Sequence, residues 1–152
     1  MTRMNAIFGA GGFAKEVAWI MDDVARLDPT IGRVDAFIAS DDAPNVGSSI
    51  HGAAVLAESD FFALYRGSPV NVFIAVGSPL LKLRLQQKCA TQLEAVTFPS
   101  LVHPSVMYDH RDKAIIFGSG AIVCAGTILT TDIKIGDFAH LNLNCTVGHD
   151  AV

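Results

Sequence analysis

Histidines are the side chains of this 152-residue sequence best suited to proton transfer, since imidazole gains and loses a proton near neutral pH. His149 comes two residues after the large apolar residue Val147, on what the spacing predicts to be a turn of a rigid coil. A side chain projecting outward there could act as a general base on a substrate. The alternative is a solvated turn histidine. His140 is a weaker candidate, while His51 and His110 are expected in exposed loops and His103 at a structural corner before a proline.

The glycine-rich segment GAGGFAKE at residues 9–16 is a second candidate site, predicted to lie between the first strand and the first helix. Backbone amides and a helix N-terminus attract anions at such a place, and Gly11 and Gly12 would let a diphosphate approach the chain closely. Lys15, one turn into the helix, favours phosphate or pyrophosphate as the ligand. The alternative is a tight turn that only packs the helix on the strand.

The same segment nearly matches the GxGxxA fingerprint of dinucleotide-binding proteins, and Asp35 lies in roughly the right region for a ribose contact. An NAD-binding domain normally has two mononucleotide halves, whereas the predicted sheet ends near residue 100. We therefore expect one nucleotide half at most. A nicotinamide-dependent oxidoreductase is the least favoured function.

Composition and charge exclude several other classes. The net charge is −4 and no block of Lys or Arg could neutralise a row of phosphates, so nucleic acid is not an expected partner. The three cysteines, Cys89, Cys124 and Cys145, are widely spaced in apolar surroundings, so we expect reduced core residues and neither a metal site nor a disulfide framework. The first apolar run is too short for a signal peptide or a membrane span, so the sequence predicts a cytoplasmic protein.

Short apolar runs alternate with longer amphipathic ones up to about residue 101, which is typical of parallel strands joined by crossover helices. The pattern predicts an α/β fold, with a small Rossmann-like βαβαβαβ domain over residues 1–101 and helices on both faces of its sheet. The predicted strands are Ala6–Phe8, Val34–Ala39, Val70–Val76 and Ala95–Phe98, and the predicted helices are Phe13–Leu27, Asp60–Tyr65 and Leu80–Leu93.

After Pro104 the helical period is lost and a period of six residues replaces it. This hexapeptide repeat is typical of a parallel β-helix, in which three hexads make one eighteen-residue coil and coils stack roughly 4.8 Å apart. An antiparallel sheet, the alternative, would show alternation every two residues and hairpin signals, of which the sequence has few. Large apolar anchors eighteen residues apart should touch: Phe117 on Ile135, Val123 on Leu141, and Leu129 on Val147.

Two details of the coil are expected from the spacing. Tyr108 precedes the anchor Phe117 by nine residues instead of six, so a three-residue insertion is predicted within residues 109–113, with His110 and Arg111 in the bulging loop. Gly118, Gly136 and Gly148 each follow an anchor, where a turn could need a positive φ.

The chain resembles the sugar O-acyltransferase family typified by sialic acid O-acetyltransferase and by the bacterial nucleotide-sugar N-acetyltransferases of glycan biosynthesis. The likeness runs along nearly the whole chain and is carried by GAGGFAKEV at 9–17, AVGSP at 75–79, HPS at 103–105 and IGDFAHLNLNCTVGHD at 135–150. The last segment is the most specific, because it fixes a His-Asp pair at a set distance after an Ile-Gly-Asp turn.

The resemblance implies acetyl transfer from acetyl-CoA to an amine or hydroxyl of a sugar, commonly one attached to a nucleotide. It implies that His149 is the general base, that Asp150 orients its ring, and that Asn142 lies near the reacting group. It also implies a homotrimer in which a left-handed β-helix over residues 102–152 is the acyltransferase domain. The residues implied in sugar-nucleotide binding are Gly11, Gly12, Lys15 and Gly77.

The sequence departs from the family pattern at three places. Phe13 stands where the first loop usually carries a polar residue, and residues 37–42 read FIASDD where an Asp is usual after the second strand. Just over two coils precede Val152, whereas related chains continue for several more, so we expect a truncated β-helix. The alternative to an active enzyme is thus a nucleotide-sugar-binding module without activity.

Overall fold

The structure is a computed structural model that describes residues 3–152, so the first two residues of the predicted sheet domain lie outside it. The first part of the chain forms one sheet with helices. Its elements are β1 (Met4–Phe8), α1 (Gly12–Leu27), β2 (Ala36–Ala39), β3 (Ser49–Ile50), β4 (Ala53–Ala57), α2 (Glu58–Tyr65), β5 (Pro69–Ile74), α3 (Pro79–Gln92) and β6 (Ala95–Thr97).

The strands of this sheet lie in the order β3-β4-β2-β1-β5-β6, and every pair is parallel except β3 with β4. The central strand β1 pairs with β2 on one side and with β5 on the other, so that Ile7 lies between Phe37 and Phe73. After β4 the chain crosses to the other side of β1 and forms β5 there, so the strand order reverses between β1 and β5. In open α/β sheets, ligands bind outside the carboxyl ends of the strands at such a switch point.

The sheet has two strands that the sequence did not predict, β3 and β4. Ala53–Ala57 reads AAVLA, and alanine is depleted in strands, so its residues gave little strand signal. Burial alternates along β4, however, and the strand pairs with β2 over its whole length. The predicted second strand, Val34–Ala39, begins two residues later, at Ala36.

Helices cover both faces of the sheet, as predicted. On one face α1 buries Val17, Ile20 and Met21 against the sheet, and the same core includes Ile122 from the second part of the chain. On the other face α2 and α3 pack on the sheet and bury an apolar cluster that includes Phe61. The strand residues of β1 thus have apolar partners above and below.

The second part of the chain forms a coil bounded by parallel ladders. Its strands are β7 (Leu101–Val102), β8 (Ile115–Phe117), β9 (Ile122–Val123), β10 (Ile128–Leu129), β11 (Ile133–Ile135), β12 (His140–Leu141) and β13 (Thr146–Val147). The three predicted anchor contacts are confirmed as ladder partners, eighteen residues apart: Phe117 with Ile135, Val123 with Leu141, and Leu129 with Val147.

The predicted three-residue insertion is also confirmed by the ladder register. Before it, partners such as Val102 and Val123, or Met107 and Ile128, are twenty-one residues apart, whereas from Ile115 onward they are eighteen apart. The inserted loop is held by Asp109, whose carboxylate accepts hydrogen bonds from Arg111 and Thr131.

Three corners join the sides of the coil, and we name them by their residues. Corner A comprises residues 118–121 and 136–139, corner B residues 124–127 and 142–145, and corner C residues 109–114, 130–132 and 148–151. Each corner has a residue in the left-handed conformation, at a six-residue period: Gly120, Gly126, Asp132, Phe138, Asn144 and Asp150.

The prediction that Gly118, Gly136 and Gly148 need positive φ is therefore wrong, because the left-handed residue comes two positions later in the turn. Gly118 is required for another reason. A Cβ there would lie 2.5 Å from the backbone nitrogen of Asp137 on the next coil, so a side chain would push the coils apart.

Candidate active site

His149 and Asp150 lie together on corner C, at the surface of the coil. Nδ1 of His149 is 2.7 Å from Oδ2 of Asp150, and the two side chains are 77% and 75% exposed. An ionised carboxylate only accepts hydrogen bonds, so the ring proton of the neutral imidazole lies on Nδ1. Nε2 then keeps its lone pair, and among residues 3–152 no group donates to it.

Corner C is held against the preceding coil by backbone hydrogen bonds. The Thr130 amide donates to the Val147 carbonyl, and the Asp150 amide donates to the Thr131 carbonyl at 3.3 Å. Asp150 has a φ of 60°, a conformation that aspartate and asparagine adopt more readily than most residues. Asp150 therefore serves the turn as well as the histidine.

The glycine segment joins β1 to α1, as predicted, and its first glycine is required by close packing. Gly9 has a φ of 122°, and a Cβ there would lie 2.6 Å from the carbonyl oxygen of Ala75. This contact brings the loop after β1 against the loop after β5, at the switch point of the sheet. We call residues 9–12 and 75–78 the switch-point loops.

Gly11 and Gly12 are exposed and have no packing role within this chain. A Cβ at either position would meet no atom within 4 Å, and Gly11, the N-cap of α1, has an extended conformation that any residue can adopt. The tight-turn alternative therefore accounts for Gly9 but not for these two. Lys15 is exposed one turn further along α1, so the backbone at this helix N-terminus is open to a ligand.

Gly77 lies in the second switch-point loop, directly before Ser78, the N-cap of α3. It is exposed, and a Cβ would meet nothing within 4 Å. Ser78 caps α3 by accepting a hydrogen bond from the Leu81 amide. The structure thus brings Gly11, Gly12 and Gly77 to one edge of the sheet, where two helix N-termini meet.

Corner A of the coil lies against this edge, a contact that the sequence did not predict. The Phe13 ring stacks on His140 with ring centroids 3.9 Å apart, and Lys82 of α3 donates to the Phe138 carbonyl at 2.9 Å. No local motif marked Lys82 or Phe138, because their positions depend on how two distant parts of the chain pack. A cavity of about 330 Å³ beside them is lined by Pro79, Lys82, Leu83, Gln86, Asp137 and Phe138.

Burial lowers the pKa of two side chains at this contact. It lowers the pKa of Lys82, and burial together with the neighbouring Lys82 charge lowers the pKa of His140. Both shifts disfavour the positive form. His140 thus lies in the wall beside the switch-point loops as a stacked ring whose neutral form is favoured.

The proposed ribose contact at Asp35 is wrong. Asp35 precedes β2, so it lies at the amino end of the strand, opposite the edge where β1 ends at the glycine segment. Its carboxylate accepts a hydrogen bond from the Asn5 amide at 2.7 Å, and the two backbones also pair. Asp35 therefore fixes the start of β2.

The remaining candidates occupy different corners. Asn142 is exposed on corner B, where its carbonyl accepts a hydrogen bond from Thr127. Among residues 3–152, no hydrogen bond joins it to His149 or Asp150. Within one chain, the structure pairs His149 with Asp150 on corner C and groups the glycines at the sheet edge beside corner A, so the two sets lie apart.

His103 has the structural place that its sequence context predicted. It is buried, the Ser105 amide donates to its Nδ1, and its Nε2 lies 3.1 Å from Oδ2 of Asp23 in α1. Both ring nitrogens are therefore engaged in joining the coil to the sheet.

In the part of the chain that the structure describes, no helix has the length and apolar character needed to cross a membrane.

The fold and the two groups of residues define an α/β protein in which an exposed glycine loop at the sheet's switch point is joined to a coil that presents a histidine-aspartate pair. Comparison with known proteins identifies the family of this protein. Residues 6–89 match the family model of the PglD N-terminal domain, and the chain belongs to that family. The resemblance drawn from the sequence is thereby confirmed.

The relatives are bacterial proteins and include a sugar-nucleotide acetyltransferase. GDP-perosamine N-acetyltransferase of Escherichia coli O157:H7 is 32% identical over 149 residues, which are 97% of this chain and 62% of that protein. PerB from Caulobacter crescentus, solved with CoA and GDP-perosamine, is 26% identical with a TM-score of 0.77 over 97% of this chain and 63% of its own. WeeI from Acinetobacter baumannii AYE is 28% identical with a TM-score of 0.76 over 98% and 65%. The chain thus spans less than two thirds of these relatives' length.

Proposed function

We propose that this protein transfers an acetyl group from acetyl-CoA to an amino or hydroxyl group of a sugar or nucleotide-sugar in bacterial surface glycan biosynthesis. The observation that carries the proposal is the exposed His149–Asp150 pair, in which Nδ1 donates to a carboxylate and Nε2 is open. The names of the E. coli and Caulobacter relatives support the same reaction, with CoA and a GDP-sugar as ligands.

In the proposed reaction, Nε2 of His149 removes the proton from the acceptor amine or hydroxyl as this group attacks the thioester carbonyl. The tetrahedral intermediate then collapses, the C–S bond breaks, and the imidazolium returns its proton to the CoA thiolate. Asp150 acts on the ring alone: its carboxylate holds the Nδ1–H tautomer and stabilises the imidazolium that forms. Asn142 is the proposed contact near the reacting group.

We assign sugar-nucleotide binding to the sheet and acyl transfer to the coil. In this assignment residues 1–101 are a Rossmann-like domain and residues 102–152 belong to a left-handed β-helix. The open backbone at Gly11, Gly12 and Gly77 supports a diphosphate site at the switch-point loops, with Lys15 supplying positive charge.

A homotrimer would resolve the separation of the two sites. Corner A faces the switch-point loops, whereas His149 is on corner C, so the base of a second copy could serve a sugar-nucleotide bound to the first. The outer surface of one coil side supports such an association, because Met107 and Ile128 are bridge partners there and are 65% and 40% exposed. Light scattering should give the mass of three chains, and a monomeric mass would contradict the trimer.

Ligand binding tests the sugar-nucleotide site. A GDP- or UDP-linked amino sugar should raise the melting temperature, and Gly11→Ala should reduce that rise because the new methyl group occupies the open space. Gly67→Ala is the matched control, since Gly67 is also exposed but lies before the amino end of β5. Equal protection of both variants would contradict the assignment.

The second candidate function is a nucleotide-sugar-binding module without acetyltransferase activity. It is favoured by the separation, within one chain, of the switch-point glycines from the His149–Asp150 pair. In this case a sugar-nucleotide would protect the protein against heat whereas CoA would not, and no acetylated product would form. Protection by both ligands, with product, supports the enzyme.

A further inference from the structure

One cluster of possible metal ligands lies between the sheet and the coil, away from the His149–Asp150 pair. Glu16 of α1, Cys124 directly after β9 and His140 of β12 place their ligand atoms within 4.8 Å of one another. We propose that these three side chains bind a divalent transition-metal ion, with Zn²⁺ as the best fit, and that the ion fastens α1 to the coil.

The distance between sulfur and nitrogen fits a shared ion. Sγ of Cys124 is 3.5 Å from Nε2 of His140. Zinc bonds of about 2.3 Å to sulfur and 2.0 Å to nitrogen, opened to a tetrahedral angle, place these two atoms about 3.5 Å apart. The ion can therefore enter without a movement of either backbone.

The donor set suits zinc in chemistry and in charge. Thiolate, imidazole and carboxylate are the ligands that zinc takes in proteins, whereas calcium and magnesium prefer oxygen alone. One thiolate and one carboxylate balance a double positive charge in a place where Cys124 is fully buried and its two partners are half-buried. Three protein ligands leave a fourth position for water.

The surroundings fix the ligands. Phe13 stacks on the His140 ring at a centroid distance of 3.9 Å and lies three residues before Glu16, on the same face of α1. The Cys124 amide donates to the Leu141 carbonyl, so the cysteine and the histidine strand belong to neighbouring coils that are already paired. Such support orients a metal ligand before the ion arrives.

The site explains why the sequence predicted no metal. Zinc motifs are recognised by short spacings such as CxxC, but residues 16, 124 and 140 come from three elements and meet only in the folded chain. A Cys-His-Glu catalytic triad would use the same residue types. Cys124 is 0% exposed, however, so no substrate could reach its sulfur as a nucleophile.

Cobalt substitution tests the proposal in the unmodified protein. Co²⁺ added to apoprotein should give a thiolate-to-cobalt charge-transfer band in the near ultraviolet and strong tetrahedral d–d bands in the visible. Zinc should displace it at about one ion per chain, and metal analysis of protein purified with zinc should find the same ratio. These readouts do not depend on acetyltransferase activity.

Variants locate the site. Cys124→Ser should abolish the charge-transfer band, and Glu16→Gln should weaken metal binding at least about tenfold. Cys145→Ser is the matched control, because Cys145 is a half-buried thiol of the same coil outside the cluster, and it should bind metal as the parent does. If the parent chain gives no cobalt–thiolate band and no bound zinc, the three residues form a hydrogen-bonded cluster only and the proposal is wrong.

Discussion

Two histidine-aspartate pairs in this molecule use the same residue types in opposite ways. His103 and Asp23 join the coil to α1, with side chains 8% and 19% exposed, whereas those of His149 and Asp150 are 77% and 75% exposed. In the buried pair, the Ser105 amide donates to Nδ1, so the ring proton lies on Nε2 and is donated to Asp23. In the exposed pair the proton lies on Nδ1 and Nε2 is open.

The comparison of these two pairs shows that a carboxylate beside a histidine does not by itself mark a catalytic base. Both nitrogens of His103 are used by its neighbours, so the ring can hold two elements together but cannot accept a substrate proton without losing a contact. His149 uses one nitrogen to hold its orientation and leaves the other for chemistry. Changes to the two pairs should therefore separate turnover from stability.

The largest effect is expected from His149→Ala. Loss of the general base should lower kcat for acetyl transfer by about 10²- to 10⁴-fold, measured as CoA release from acetyl-CoA with a nucleotide-linked amino sugar. The free energy of unfolding should change by less than about 0.5 kcal/mol, since the side chain is exposed. His51→Asn is the control, because His51 is an exposed turn residue with φ of 50°, and it should keep the parental rate.

Asp150→Asn should have the next largest effect on turnover. Asparagine tolerates the left-handed conformation at this corner, so the turn should persist, but its side chain no longer carries the charge that fixes the Nδ1–H tautomer. We expect kcat to fall about 10²-fold. Asp132→Asn makes the same change at the equivalent position of the preceding coil and should leave kcat unaltered. An equal loss in both variants would assign the effect to the turn.

His103→Ala should lower stability and leave turnover unchanged, the converse of the two preceding variants. It leaves Asp23 and the Ser105 amide without their partner and removes the ring that packs 4.9 Å from Trp19. The free energy of unfolding in urea should fall by about 1–3 kcal/mol. At a temperature where the variant stays folded, kcat should remain near the parental value. Loss of turnover without loss of stability would reverse the roles of the two pairs.

The smallest effect concerns Asp109, which supports corner C beneath the exposed pair. Hydrogen bonds from Arg111, then from Thr131, hold the pKa of the Asp109 carboxyl well below its usual range. Because the folded-state pKa is lowered, the stabilisation is present above about pH 4 and is lost as pH falls through the folded-state value.

Arg111→Ala removes the main cause of that shift. The carboxyl titration of Asp109, followed by NMR, should move upward in the variant, while kcat at neutral pH should change by less than about twofold. Thr131→Val, which removes only one hydrogen bond, should give a smaller upward movement. An unchanged titration in Arg111→Ala would show that the ion pair does not form.

The sequence predicted the coil more completely than the sheet, for a physical reason. A six-residue repeat fixes which residues pair on neighbouring coils. Contacts such as Val123 with Leu141, and even the three-residue insertion, could therefore be predicted from the spacing. In the sheet, Ala53–Ala57 gave no comparable signal because its strand character comes from pairing with β2.

Within the candidate site, local segments were predicted and contacts between them were not. The glycine loop and the His149–Asp150 pair are each contiguous in sequence. Phe13 on His140, and Lys82 on the Phe138 carbonyl, join residues more than fifty positions apart, so no local spacing could show them. Positive φ was expected at Gly118 but belongs to Gly120, because the repeat fixes the period of the turn and not its internal conformation.

Chemical rescue tests most directly whether His149 is the open base. Imidazole added to His149→Ala, with acetyl-CoA and a nucleotide-linked amino sugar, should raise the rate of acetylated product formation in proportion to its concentration. His103→Ala should not respond, since its ring is not the proton acceptor. A residual rate in His149→Ala that equals the parental rate, or that imidazole leaves unchanged, would contradict the account.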